Sequence, residues 1–161
     1  MRPRIPFFCF IFLLAITIGC QPSPKKVKKT ARGFEVADTI IYPVDVMNLD
    51  SADEWTDTRL KNLRHQELTD LFFEAVYDGN ATAVDYYSRE PISTEELKEM
   101  EASGEIEREE MAQLQFEEAW YFNPDEGHMT KNVQSVLLAW PVYDNKGEFQ
   151  AFKAGFVIEL N

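Results

Sequence analysis

Few residues in this 161-residue chain could carry chemistry, and their spacing narrows what that chemistry would be. A serine or threonine nucleophile needs a base beside it, and the only imidazoles are His65 and His128. His65 falls on the polar part of a predicted helix and His128 in a turn-rich loop, so both are expected at the surface. A structural zinc site needs clustered His, Cys and carboxylate ligands, and two cysteines near the amino terminus are too thin a supply. No metal or other cofactor is expected. The segments Asp144-Asn145-Lys146-Gly147-Glu148 and Asp125-Glu126-Gly127 lack the alternating ligand ladder of a calcium loop, and hairpin turns use the same residues for backbone reasons. A pair of carboxylates held roughly 5–10 Å apart could serve in glycoside hydrolysis. With 28 Asp and Glu, the sequence selects no pair. Trp55, Tyr86, Tyr87, Trp120, Tyr121 and Trp140 could line a cleft, so a ligand-binding module or small hydrolase stands as the alternative to a non-enzymatic role.

The cysteines point elsewhere. Arg2 and Arg4 precede the apolar run Phe7–Ile18, which is long enough for a secretory signal and short of the roughly 20 residues of a membrane-spanning helix. The run ends Thr17-Ile18-Gly19-Cys20 and continues Gln21-Pro22-Ser23-Pro24. This passage resembles the lipobox of bacterial lipoproteins, with Thr17 where Leu is usual. The resemblance implies a signal peptide over residues 1–19, cleavage before Cys20, and fatty acyl chains such as palmitate on Cys20. A plain signal peptide followed by an incidental cysteine is the other reading. Cys9 lies in the discarded run, so neither a disulfide nor a thiol nucleophile is expected in the exported domain. Each buried acyl methylene contributes roughly 0.8 kcal/mol, so several chains on one residue would hold the protein at a membrane.

Residues 20–33 are polar, interrupted by proline and basic, and read as a tether whose lysines each contribute roughly 1 kcal/mol close to anionic head groups. The formal net charge of −12 therefore averages two regimes. Residues 1–33 hold seven bases and no acid, and the remainder holds nine bases against 28 acids. So acidic a domain repels phosphate, which argues against a nucleic-acid partner. With 45% hydrophobic and 13% aromatic residues, residues 34–161 can bury the core of one domain.

The elements that would position any site follow from periodicity. Glu35–Val44 alternates as a strand with Val36, Ile40, Tyr42 and Val44 on one side. Ser51-Ala52-Asp53-Glu54 has capping-box spacing, and the stretch that follows places Leu68, Leu71, Phe72, Ala75 and Val76 on one stripe of a helix ending at Gly79-Asn80. Ala81–Tyr87 resumes an extended pattern. After Pro91, Ser93-Thr94-Glu95-Glu96 caps a short helix running to about Ala102, stopped by Ser103-Gly104. Phe116–Phe122, Val133–Tyr143 and Phe149–Leu160 read as strands. The last two are joined by the hairpin turn Asp144-Asn145-Lys146-Gly147. Pro141 cannot donate to a ladder, which predicts an edge or a bulge there. The expected fold is α+β: an antiparallel sheet of four to five strands, one main packed helix, and a short acidic helical excursion.

Two passages carry a family resemblance. Leu71-Phe72-Phe73-Glu74-Ala75-Val76-Tyr77-Asp78-Gly79-Asn80-Ala81-Thr82-Ala83-Val84-Asp85 is similar to the helix–glycine–strand passage of the GldN (PorN) family of gliding-motility and type IX secretion proteins. Phe116-Glu117-Glu118-Ala119-Trp120-Tyr121-Phe122, then Met129 and Val133–Val142, resembles that family's acidic-aromatic passage leading into a strand that ends at a proline. The likeness covers roughly residues 60–161, and none of its motifs is catalytic. It implies a periplasmic structural component associated with a ring-forming lipoprotein partner at the outer membrane. Family members are longer, continue past the strand ending at Leu160-Asn161, and are not themselves lipidated.

The functional expectation is a non-enzymatic, lipid-anchored cell-envelope protein facing the periplasm, working through protein–protein contact. From Glu95 to Glu118 ten glutamates face only Lys98 and Arg108, and Glu105, Glu107, Glu109 and Glu110 are the candidate partner surface.

Overall fold

The computed structural model describes residues 27–160. The signal segment 1–19, the lipid-attachment residue Cys20 and the tether as far as residue 26 lie outside the described residues.

The elements in chain order are β1 (Lys29–Thr30), β2 (Gly33–Asp45), α1 (Glu54–Leu60), α2 (His65–Tyr77), β3 (Ala81–Asp85), α3 (Thr94–Ser103), a 3-10 turn (Arg108–Glu110), β4 (Gln113–Asn123), β5 (His128–Tyr143) and β6 (Phe149–Leu160). Every strand pairing is antiparallel, and the six strands form one curled sheet in the order β1-β2-β4-β5-β6-β3. With 45% strand and 25% helix, the domain is mostly sheet, which corrects the expected α+β arrangement of four to five strands and one main helix. Two local causes account for the difference. Lys29 and Thr30 turn back through Gly33 (φ 117) and pair with Gly33 and Phe34, so the sheet already begins within the basic stretch. The expected long helix breaks at Lys61–Arg64 into α1 and α2, and its first cap is Asp53, whose carboxylate accepts from the Trp55 and Thr56 amides, rather than Ser51.

The main core lies between one face of the sheet and the helices. Phe73, Leu97, Met111, Leu114, Leu138, Phe156 and Ile158 are fully buried there, and Phe73 meets Phe156 edge-on at 5.5 Å. The buried residues of α2 are Thr69, Phe73 and Val76, with Leu68, Phe72 and Ala75 packed beside them and Leu71 63% exposed. The stripe is thus rotated from the one expected. Thr69 tolerates burial because its hydroxyl donates to the His65 carbonyl at 3.0 Å, so no polar atom is left unpaired. Val84, Leu137 and Val157 form a smaller cluster on the opposite face of the sheet.

Bulges explain where strict alternation failed. Two register shifts in β2, between Glu35 and Ala37 and between Ala37 and Ile40, leave Val36 exposed while Tyr42 and Val44 stay half-buried. Another between Leu137 and Ala139 moves Ala154 off the Phe156 face and onto the Leu137–Val157 cluster. The 144–147 hairpin forms as expected, with Gly147 at φ 80 and its amide donating to Asp144. Pro141 sits in a strand flanked on both sides, but β4 begins at Gln113 opposite Ala139, so β5 is open on that flank by Pro141.

Candidate interaction site

The α3 end of the sheet is shaped by a loop that folds back on its own strand. After β3, the Asp85 carboxylate accepts from the backbone amides of Ser88 (2.7 Å) and Tyr87 (3.0 Å), which tightens the turn and holds its pKa below the usual aspartate value. The chain then returns alongside β3, with Asp85 N–H donating to Glu90 and Ile92 N–H donating to Ala83, both at 2.9 Å. Ser93 caps α3 by accepting from the Glu96 amide at 3.1 Å, and Gly104 (φ 74) ends it. Leu97 pins the helix to the core.

Between this loop and α3 lies an open groove of about 660 Å³. Its carboxylates are Asp85, Glu90, Glu96, Glu99 and Glu105, its apolar surface comes from Pro91, Ile92 and Met100, and among the described residues no lysine or arginine lines it. A smaller cavity of about 180 Å³ shares Asp85, Met100 and Glu105 and extends the depression to Trp140 and Lys153. The groove is therefore apolar at the base, charged at the rim, and continuous with an indole.

Arg108 fixes the far wall. Its guanidinium donates to both oxygens of Glu101, reaches Asp70 at 3.1 Å, and stacks over the Phe73 ring at 4.4 Å, clamping the α3–β4 connector onto α2. Burial would raise the Glu101 carboxyl, but hydrogen bonds from Arg108 and Tyr77 outweigh it and bring the carboxyl below its usual range. Burial together with that same carboxylate pushes the Tyr77 hydroxyl up to about 12. Ile106 is buried beside the clamp, and Trp140 donates its indole N–H to the Glu107 carbonyl at 2.7 Å.

The expected partner surface is thereby divided. Glu105, Glu107, Glu109 and Glu110 are all exposed, but only Glu105 lines the groove or its extension. Glu109 and Glu110 belong to the 3-10 turn. Sequence reasoning missed Asp85, Glu90, Glu96 and Glu99 as partners of Glu105. The available signal was Asp85 three residues before Ser88 with Pro91 beyond, a turn that brings the chain back along its strand.

A second polar centre lies on the helix side of the sheet, beyond the helices. Glu118 is 4% exposed and accepts from the Tyr42 hydroxyl and the Trp120 indole, each at 2.8 Å, with the Lys131 ammonium at 3.5 Å. Burial alone would raise this carboxyl, but the Trp120 and Tyr42 hydrogen bonds and the Lys131 charge lower it. Tyr42 moves the other way, raised by burial and by the carboxylate it bonds. The cluster thus favours the charged form of this glutamate within the sheet.

The histidines lie on separate elements. His128 is exposed at the start of β5, whereas His65, expected at the surface, is half-buried because its Nε2 contacts the Met111 carbonyl and joins α2 to the connector. Among the described residues no three His, Cys, Asp or Glu side chains are grouped to hold a metal ion. No described helix is long and apolar enough to cross a membrane. No known protein-family model matches the chain. No curated protein matches it either.

Proposed function

We propose that this chain is a non-enzymatic, lipid-anchored protein of the bacterial cell envelope that captures a basic segment of a partner protein in the groove between the β3–α3 loop and α3. The observation that carries the reading is the composition of that groove: five carboxylates, an apolar base and, among the described residues, no lining cation. A focused field of one sign raises encounter rates with a basic partner and disfavours acidic competitors, while Ile92 and Met100 offer contact area to aliphatic stems. The Gly19-Cys20 passage supports the anchor and the envelope location, and the likeness of residues 60–161 to GldN proteins supports a part in gliding motility or type IX secretion.

Two triple variants of equal charge test the site. Glu96→Gln, Glu99→Gln and Glu105→Gln empty the groove of three charges, whereas Glu107→Gln, Glu109→Gln and Glu110→Gln remove as many from outside it. Fluorescence anisotropy with a labelled peptide alternating lysine and leucine is expected to show about tenfold weaker binding for the groove triple and a small change for the other. Equal losses would mean that net charge alone attracts the peptide, and would remove the groove from the account.

A further inference from the structure

We propose that the sheet face opposite the helices carries a binding site for a free aliphatic α-amino acid, with Arg89 receiving its carboxylate and Glu117 its ammonium. A cavity of about 180 Å³ lies across that face, spanning β2, β4, β5 and β6, with Tyr86 and Arg89 of the β3–α3 loop also lining it. Its base is Leu137 and Val157, 8% and 3% exposed, and Ile41 forms an apolar wall. At roughly 30 Å³ per water, the space corresponds to about six waters. That is the size of a single amino acid, and well under the roughly 300 Å³ at which pockets for larger ligands begin.

The charges in this cavity identify the ligand class. Arg89 is the sole non-glycine residue at positive φ (60°) among the described residues, a conformation that is costly for an L side chain and that clusters at functional sites. The Asp85–Ser88 turn and the return of Glu90 along β3 hold it there. Within a domain so rich in acids, the Arg89 guanidinium makes no ion pair and no hydrogen bond among the described residues. Glu117 uses its Oε2 to accept from the Ser135 hydroxyl at 2.9 Å, and Oε1 has no partner among the described residues. Opposite charges thus line one small cavity without closing on each other. A simple anion would meet the Glu117 charge and a simple amine would meet Arg89, whereas a zwitterion satisfies both. Leu137, Val157 and Ile41 then take an aliphatic side chain, and the Gln115 amide adds a hydrogen-bonding group.

Isothermal titration of the full chain in detergent with leucine tests the proposal, using 4-methylpentanoate and 3-methylbutylamine as ligands that each lack one charge. Saturable leucine binding is expected, with each comparator at least about tenfold weaker. Arg89→Gly is the informative variant, because glycine accepts φ 60° without strain and so removes the guanidinium while easing the backbone. It is expected to weaken leucine binding by about tenfold or more with no fall in thermal midpoint, and Glu117→Gln to bring leucine down to the affinity of 4-methylpentanoate. The groove triple leaves leucine binding unchanged, which separates this site from the docking groove. Absence of saturable leucine binding, unchanged binding in Arg89→Gly, or a comparator bound as tightly as leucine would each overturn the proposal.

Discussion

The two ends of this domain treat the same residue type in opposite ways. Where β2, β4 and β5 extend past the helices, one glutamate, Glu118, is buried and given two hydrogen-bond donors and a nearby ammonium. Around α3, Glu90, Glu96, Glu99 and Glu105 stand exposed about a groove that no cation among the described residues lines. A carboxylate out of water needs partners or it destabilises the fold, so Glu118 belongs to the folding of the sheet. Exposed carboxylates need none, and their unmatched field is free to act on another molecule.

The contrast is tested most severely at Glu118. Glu118→Ala strands the Tyr42 hydroxyl and the Trp120 N–H, which is expected to cost about 2–4 kcal/mol, read as a lower urea midpoint at unchanged slope. Glu118→Gln keeps an acceptor and should lose less. Because the folded-state pKa values of Glu118 and Glu101 are lowered, their stabilisation is fully present above the ordinary value of 4.5 and is lost as pH falls through the folded values. Wild type is therefore expected to weaken in acid below about pH 4.5, and Glu118→Gln to show a shallower acid limb. A Glu118→Ala variant as stable as wild type would erase the distinction between the two ends.

Arg108 stands between the two regimes, since it is a cation that the α3 region does use in its packing. Its loss in Arg108→Ala takes the cation from Glu101 and Asp70, leaving them the Tyr77 and Gln66 donors, and removes the guanidinium stacked on the Phe73 ring. The guanidinium is 22% exposed, so screening is partial and a cost of about 1–2 kcal/mol is expected, measured by the same denaturation. Retention of the groove's peptide affinity in this variant would show that the clamp serves stability alone. A parallel loss would show that the connector must be held for Glu105 to face its partner.

Much of this frame is legible in the residues. The β5–β6 hairpin was readable from alternation and Asp144–Gly147 because local turn chemistry and pattern agree there, and α3 from Ser93 and Gly104 for the same reason. Elsewhere one-dimensional pattern loses phase. Each bulge in β2, β5 and β6 moves the following residues to the other face, which is why Val36 and Ala154 lie where strict alternation does not put them. The first hairpin hides in a polar segment whose pairing depends on a glycine turn rather than on hydrophobic periodicity. The acidity of residues 95–118 was visible as composition, but which of its glutamates share a groove is decided by Asp85 at the end of β3 and Glu90 in the loop that follows. Glu118 and Lys131 meet only because β4 pairs with β5, a contact that no local spacing announces.

The smallest expected effect is the sharpest discriminator. If the groove carboxylates take no part in folding, replacing Glu96, Glu99 and Glu105 by glutamine removes mutual repulsion and breaks no hydrogen bond, because none of these side chains has a protein partner among the described residues. The urea midpoint of the triple variant should then equal or slightly exceed that of wild type at low salt. The gap should close as added salt shortens the Debye length to about 8 Å near 0.15 M. Such a result, beside a large loss for Glu118→Ala, means that the α3 end carries charge at a small standing cost in stability, which an evolved surface keeps when another molecule neutralises it. A clear fall in midpoint for the triple variant would instead place these glutamates among the residues that hold the domain together, and the two ends would differ in exposure but not in role.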